Sequence, residues 1–208
     1  MIMTLAAIGG DEIATLDAHP GSTEGFMLAA EGLDPAAEMA GDDPFAGGGI
    51  RGRVLRGLIR VVAGRAAAEP VDPMPDLWKP ATPPRPRLDL DKAWHGVHWL
   101  LAGDAETTAL PAGVLLGGRE IGEDIGYGPL RVATPAETQA VADHLVPLDR
   151  AALETRLDPA AMAAAELYPG HWTEDPTLPA EVLDRATETT AFIVARAKAG
   201  EGLAIWLS

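Results

Sequence analysis

Apolar residues recur along this chain in two kinds of pattern, and each kind predicts a different element. Residues 1–8 are apolar with weak alternation and stop at Gly9-Gly10, which favours a first strand. Residues 203–207 have the same short apolar character and predict a last strand. Between 179 and 198 the apolar positions advance at helical spacing, which predicts the longest helix. The chain therefore combines strands and helices.

Capping residues predict further helices. Thr134, Pro135 and Glu137 form the start signal of a helix that runs to Leu145. Five more helices and one strand are expected: a helix opened by Asp11 and closed at His19-Pro20-Gly21, a helix over 90–101 with Asp89 as N-cap and Gly103 as stop, helices capped by Asp149 (to Leu157) and by Asp158 (to Leu167), a short helix at 111–116, and a strand at 130–133. These elements predict an α+β fold in which several helices pack on one small mixed or antiparallel sheet.

The stretch before residue 88 has a different composition. Residues 20–50 are rich in Gly, Pro and Asp and predict mostly loop, with one helical turn at 26–28. Residues 50–65 hold five arginines and no acid, and their apolar positions share one side of a helical wheel, which predicts a basic amphipathic helix. This helix either docks on the chain's own carboxylates or meets a membrane surface or partner. Seven prolines over 70–86 favour a stiff, extended connector. We therefore expect a single domain over 1–208 with an insertion at 40–87.

Charge and cysteine content exclude several classes of function. The 208 residues carry a formal net charge of −15, a surface that repels phosphate backbones, so we expect no nucleic-acid partner. Without cysteine there is no disulfide, no thiolate metal site and no cysteine nucleophile. No window has the roughly 20 apolar residues of a membrane helix, and the first residues lack the basic flank of a signal peptide. We expect a cytoplasmic protein.

One cluster of side chains suggests metal chemistry. Asp91, His95 and His98 share a helix face at spacing i, i+4 and i+7, and imidazole with carboxylate suits zinc. The set lacks a further ligand whose position the sequence fixes, and His98 is equally explained as a buried helix residue bonded to backbone. Neither serine lies in a nucleophile elbow, and no phosphate-binding glycine motif occurs. We therefore expect no cofactor.

Two compact motifs lie at residues 88–103 and 117–131. The residues that characterise them are Leu88, Asp89, Asp91, Lys92, Trp94, His98 and Gly103, and Gly118, Glu123, Asp124, Tyr127, Gly128, Pro129 and Arg131. Together with a weaker third match at Tyr168-Pro169 and Trp172, these motifs resemble the core of the bacterial YfbM-like family, whose members carry no established activity. The resemblance implies a bacterial α+β domain and supplies no catalytic residues.

The motif residues lead to one hypothesis about a site. If the two motifs converge, a polar and aromatic pocket forms from six residues: Asp91, Trp94, His98, Glu123, Tyr127 and Arg131. We expect a non-enzymatic binding protein, for an unknown protein or small molecule, of which an immunity-type protein that blocks a basic toxin is one form. The alternative is a small metal-assisted hydrolase acting through Asp91, His98 and Glu123. The chain is a monomer, or a dimer paired through exposed terminal strands.

Overall fold

A computed structural model describes residues 1–39, 78–124 and 126–208. Within them the fold is α+β, as the sequence predicts: five strands form one antiparallel sheet, in the order β2-β1-β5-β4-β3. The strands are β1 (Met3–Ile8), β2 (Arg87–Asp89), β3 (Arg119–Ile121), β4 (Leu130–Ala133) and β5 (Gly202–Leu207). The helices are α1 (Gly10–Ala18), α2 (Thr23–Ala30), α3 (Pro35–Met39), α4 (Trp94–Ala102), α5 (Pro135–Leu145), α6 (Arg150–Arg156), α7 (Pro159–Ala164) and α8 (Leu178–Lys198).

The sheet is buried on both faces, because side chains alternate along each strand and each set meets helices. Met3 and Leu5 of β1 lie in a core shared with buried residues of α4, α5 and α8. Ala6 and Ile8 point the other way, into a core shared with α1, α2 and Trp78. The central strands therefore read as nearly continuous apolar runs, without the clean alternation of a half-exposed sheet.

The part of the proline-rich connector that the structure describes, from Trp78 onward, packs on the rest of the fold. The indole N–H of Trp78 donates to Ser22 Oγ at 3.0 Å, and its ring meets Phe26 edge-on at 5.1 Å between centroids. The guanidinium of Arg85 donates to Ala7 O at 2.6 Å and to Glu12 Oε2 at 2.9 Å. These contacts hold the segment that leads into β2. The basic helix expected at 50–65, and the connector before Trp78, lie outside the described residues.

Several local predictions are confirmed. Thr134 and Glu137 form a reciprocal capping box at the start of α5, and Asp149 and Asp158 accept N–H bonds at the starts of α6 and α7. The strand at 130–133 is β4.

Other predictions of elements are wrong. Residues 20–50 were expected to be mostly loop, but α2 and α3 lie there; six of the eight residues of α2 are buried, so it lacks an amphipathic pattern. Residues 111–116 form turns instead of a helix. Asp89 ends β2 and accepts a bond from the Asp91 N–H, so α4 begins only at Trp94, after a 3₁₀ turn at Asp91–Ala93.

The terminal strands lie in the middle of the sheet. β1 and β5 pair with each other along their whole length, from Met3 opposite Leu207 to Ile8 opposite Gly202. The expectation that they are exposed edges open to dimer pairing is therefore wrong, because each has a neighbour on both sides. The edges are β2 and β3, three residues each. None of the helices in the described ranges is long and apolar enough to cross a bilayer.

Candidate functional site

Helix α4 carries the first predicted motif, and both of its ends are fixed. Gly103, at φ 88°, stops the helix and donates its N–H to Trp99 O. The Arg156 guanidinium donates to the carbonyls of Leu100 and Leu101, in the last turn of the helix, at 2.8 and 2.9 Å. A cation bonded to the last carbonyls of a helix also complements its dipole. Arg156 was not predicted, because only the packing of α6 on α4 places it there.

His95 is a structural bridge. Its Nδ1 accepts the Tyr168 N–H at 3.1 Å, and its Nε2 lies 3.3 Å from Ala105 O. Because Nδ1 is an acceptor, Nε2 carries the proton and donates to the carbonyl. Burial lowers the pKa of His95, which favours this neutral form. The ring also stacks on Trp94 at 4.7 Å, and Trp94 lies 6.1 Å from Tyr168.

His98 lies three positions after His95 on α4 and has no such partners among the described residues. Only 1% of the residue is exposed, and both ring nitrogens are buried without a hydrogen-bond partner among the described residues. Burial, with a smaller contribution from His95, lowers its pKa to about 4, while the Asp104 carboxylate opposes the shift. His98 is therefore neutral at pH 7. The Trp94 indole N–H, 7% exposed as a residue, is also buried without a partner.

The second motif forms the loop between β3 and β4. Glu123 and Asp124 are exposed, and Tyr127 is 45% exposed. Asp124 accepts the N–H groups of Gly126 and Gly128 at 2.7 and 2.9 Å, and these bonds lower its pKa. Gly122 anchors the start of the loop: a Cβ there would lie 2.7 Å from Thr23 Oγ1, so only glycine permits this approach.

Arg131 lies on β4, opposite Glu120 of β3 and Ile205 of β5. Its Nη2 donates to Leu115 O at 3.4 Å, and its Nε is buried without a partner. Burial lowers the pKa of Arg131, although Glu120 opposes the shift. The side chain shares the sheet face of Ile205, which is the face covered by α4, α5 and α8.

The six residues of the predicted pocket lie on or just before α4, in the β3–β4 loop and on β4. Trp94 and His98 are buried one turn apart on α4, while Asp91 is exposed before that helix. Glu123 and Tyr127 lie in the exposed β3–β4 loop. Among the described residues, no hydrogen bond, ion pair or ring contact joins the α4 pair to Glu123, Tyr127 or Arg131. The same ranges contain no group of three His, Asp or Glu residues arranged to hold a metal ion, and both nitrogens of His95 are already bonded to backbone.

Sequence comparison then places the chain in a family. The sequence profile of a domain of unknown function, DUF1877, matches residues 1–206. The chain belongs to the DUF1877 family. Its fold is similar to the crystal structure of YfbM from Escherichia coli, a protein of unknown function, with a TM-score of 0.55 and 17% identity over 99% of this chain and 98% of that one. No curated protein matches significantly.

Membership of the DUF1877 family agrees with the resemblance inferred from the two motifs. Because the function of this domain is unknown, membership assigns no activity and no site residues. Two residues that matter to the α4 site were not predicted. Tyr168, 73 positions after His95, contacts both Trp94 and His95, and Asp104 influences His98 from the loop after α4. Tyr168-Pro169 is visible in the sequence as a turn, but nothing local indicates that it packs on α4.

Proposed function

We propose that this DUF1877 protein is a non-enzymatic binding protein that takes a basic protein partner on the loop between β3 and β4. The observation that carries the proposal is the exposure of Tyr127, at 45%, beside the exposed carboxylates of Glu123 and Asp124. Tyrosine is enriched at the centres of protein interfaces because it offers a large contact area and a polar end. Carboxylates around it select a partner that presents lysine or arginine.

The described residues of the loop are also held in shape before any partner arrives. Asp124 bonds two backbone N–H groups within the loop, and Gly122 fits closely against Thr23. A preformed loop loses little conformational entropy on association, and this entropy is a main cost of binding. The loop therefore supports recognition by a fixed surface.

The net negative charge of the chain also favours a basic protein partner. The net charge is −15, while most arginines of the described ranges are engaged inside the chain. Five pair with carboxylates: Arg85 with Glu12, Arg119 with Asp17, Arg150 with Asp184, Arg185 with Glu188 and Arg196 with Glu201. An excess of negative charge attracts a basic partner over distance and raises its association rate. An immunity-type protein that blocks a basic toxin or nuclease fits this description.

A photo-crosslinker at position 127 tests the proposal directly. Benzoylphenylalanine replaces Tyr127 in the full chain, and a matched protein carries it at Val146, a large apolar side chain that is also strongly exposed, at 63%. Irradiation in a lysate of the source organism should give a discrete adduct with a basic protein from position 127 and not from position 146. Equal adducts from both positions, or an adduct with an acidic protein, would contradict the proposal.

The recovered partner allows a quantitative second step. Tyr127→Ala should weaken its binding at least tenfold, as loss of an interface hot spot does. Glu123→Gln should slow association and reduce its salt dependence, because it removes one charge from the loop. The matched control is Glu154→Gln, which removes an exposed carboxylate on α6. If Glu154→Gln has the same effect as Glu123→Gln, net charge alone accounts for the binding and the loop is not the site.

The metal-assisted hydrolase stays a weaker alternative. Asp91 is exposed before α4, His98 is buried within it, and Glu123 lies in the β3–β4 loop. No observation in the described ranges favours a shared ion between them. A zinc titration that raised the melting temperature of the wild type, and not of a His98→Leu variant, would revive this alternative.

A further inference from the structure

The edge strand β2 presents backbone groups that no described segment bonds. The Ala7 N–H of β1 donates to Pro86 O at 2.9 Å, just before β2 begins. Because bonded positions alternate along an antiparallel pair, Leu88 also faces β1, while Arg87 and Asp89 direct their N–H and C=O groups away from it. In the described ranges no strand lies on that side. The strand β2 therefore offers donors and acceptors to a further strand.

The side chains of β2 lie on two different faces of the sheet. Leu88 is half-buried and packs against the core that contains Leu5. Arg87 and Asp89 are exposed on the opposite face. Both charges act on Glu31, just after α2: burial raises the pKa of this carboxyl, Arg87 opposes the shift and Asp89 adds to it. None of the ion pairs among the described residues involves Arg87 or Asp89, so both charges are available to a partner.

We infer that β2 is an interface for a second copy of this chain, which pairs with it antiparallel about a two-fold axis at Leu88. In this register Arg87 of each copy lies opposite Asp89 of the other, and the outward N–H and C=O groups of these residues bond each other. Opposite charges at directly facing positions, with about 4.5–5.5 Å between Cβ atoms, stabilise a strand pair. On the other face the two Leu88 side chains lie side by side. The two sheets thereby become one.

The order of charges in β2 also selects this pairing over others. A slip of two residues in either direction places Arg87 opposite Arg87 or Asp89 opposite Asp89, and facing like charges destabilise a strand pair. At the other edge of the sheet, a two-fold pairing of β3 about Glu120 would bring two carboxylates together. Short, charged edge strands resist pairing with arbitrary strands. Because β2 has only three residues, the interface is small and the dimer is weak and reversible.

Sedimentation velocity of the full chain tests the interface. The protein is measured up to about 1 mM, where weak association is detected. The buffer contains about 0.15 M salt, which screens the repulsion between two chains of net charge −15. The wild type should change from monomer to dimer as its concentration rises, and no larger species should form, because a two-fold interface closes at the dimer. A chain that stays monomeric, or that forms larger oligomers, contradicts the inference.

Charge exchange at β2 separates a specific interface from a folding defect. Arg87→Asp and Asp89→Arg each place like charges opposite each other, so each protein alone should have a dissociation constant at least about tenfold higher than the wild type. An equal mixture of the two restores opposite charges at both positions and should form a heterodimer with nearly wild-type affinity.

The matched control is Arg119→Asp, which makes the same change of charge on the other edge strand, β3. It should dimerise like the wild type, and cooperative unfolding in urea checks that each variant is folded. If folded Arg87→Asp and Asp89→Arg proteins dimerise like the wild type, or if their mixture does not associate, β2 is not the interface.

Discussion

His95 and His98 lie on one helix, three positions apart, and have opposite chemical surroundings. His95 is bonded through both nitrogens and fixes two distant backbone segments to α4. His98 is more deeply buried and bonded through neither. The sequence presents them as equivalent imidazoles in His-x-x-His, because spacing carries no information on which nitrogen finds a backbone partner. Only the segments that fold against α4 distinguish a bridge from an unpaired group.

The first prediction at this scale concerns pH. The folded pKa of His98, about 4, lies below the ordinary value of 6.5, so the unfolded chain takes up a proton first as the pH falls. Stability should therefore decrease from about pH 6.5 down to about pH 4, by on the order of 3 kcal/mol from this residue. Urea unfolding across this range should show a smaller decrease for His98→Leu than for the wild type.

The control for this pH profile is His19→Gln, at an exposed histidine. Its stability curve should run parallel to that of the wild type. If His98→Leu and the wild type lose the same stability between pH 6.5 and 4, His98 is not buried in its neutral form.

The aspartates show that much of the acidity also has a local structural role. Asp104, Asp124 and Asp175 accept bonds from N–H or hydroxyl groups two to four residues ahead, and these bonds lower their pKa values. Such contacts hold turns and loops in shape. The high count of acids therefore results partly from capping and turn formation, and only the exposed remainder is available to a partner.

At the scale of elements, local sequence signals predict an element correctly where contacts within a few residues determine it. They fail where burial on most sides of an element removes the pattern of polar and apolar positions. The start of α5 follows from Thr134, Pro135 and Glu137, because the capping box is a contact within four residues. Helix α2 was missed because Phe26, Met27 and their neighbours are buried around most of the helix, which leaves no polar face. The strands β2 and β3 were missed because segments of three residues, two of them charged, become strands only through their neighbours.

Gly96 gives the prediction at the element scale. An added Cβ would collide with the ring of Trp172 and lie 3.0 Å from Val182. Alanine favours a helix over glycine by about 1 kcal/mol, but the overpacking costs roughly 1–3 kcal/mol in a filled core. Gly96→Ala should therefore lower the free energy of unfolding in urea. Gly10→Ala, where nothing lies within 4 Å of the new Cβ, is the control and should not destabilise. A stabilised Gly96→Ala protein would mean that α4 and Trp172 are not in contact.

At the scale of the whole molecule, the sheet joins the two ends of the chain. β5 lies between β1 and β4, and the N–H of Ile2 donates to Ser208 O while that of Ser208 donates to Ile2 O. The strand β5 therefore completes the centre of the sheet, and residues from both cores lie on it.

A truncation tests this dependence. A chain that ends at Glu201 loses β5, including Leu203, Ile205 and Trp206, which are at most 2% exposed. It should fail to fold, giving poorly dispersed NMR resonances and no cooperative thermal transition. Removal of Ser208 alone should leave a folded protein with a lower melting temperature. A cooperative transition in the longer truncation would show that β1 and β4 form a stable sheet without β5.

The sequence by itself determined the class of fold, the terminal strands, most of the capped helices and the family resemblance, because periodicity and capping depend on residues a few positions apart. The tertiary structure alone decided that the terminal strands are central, that Tyr127 is exposed, and that His95 is bonded while His98 has no hydrogen-bond partner among the described residues. These properties arise from contacts between residues tens of positions apart. The energy of such contacts comes from burial and from matched donors and acceptors, and no local pattern encodes which segments will meet.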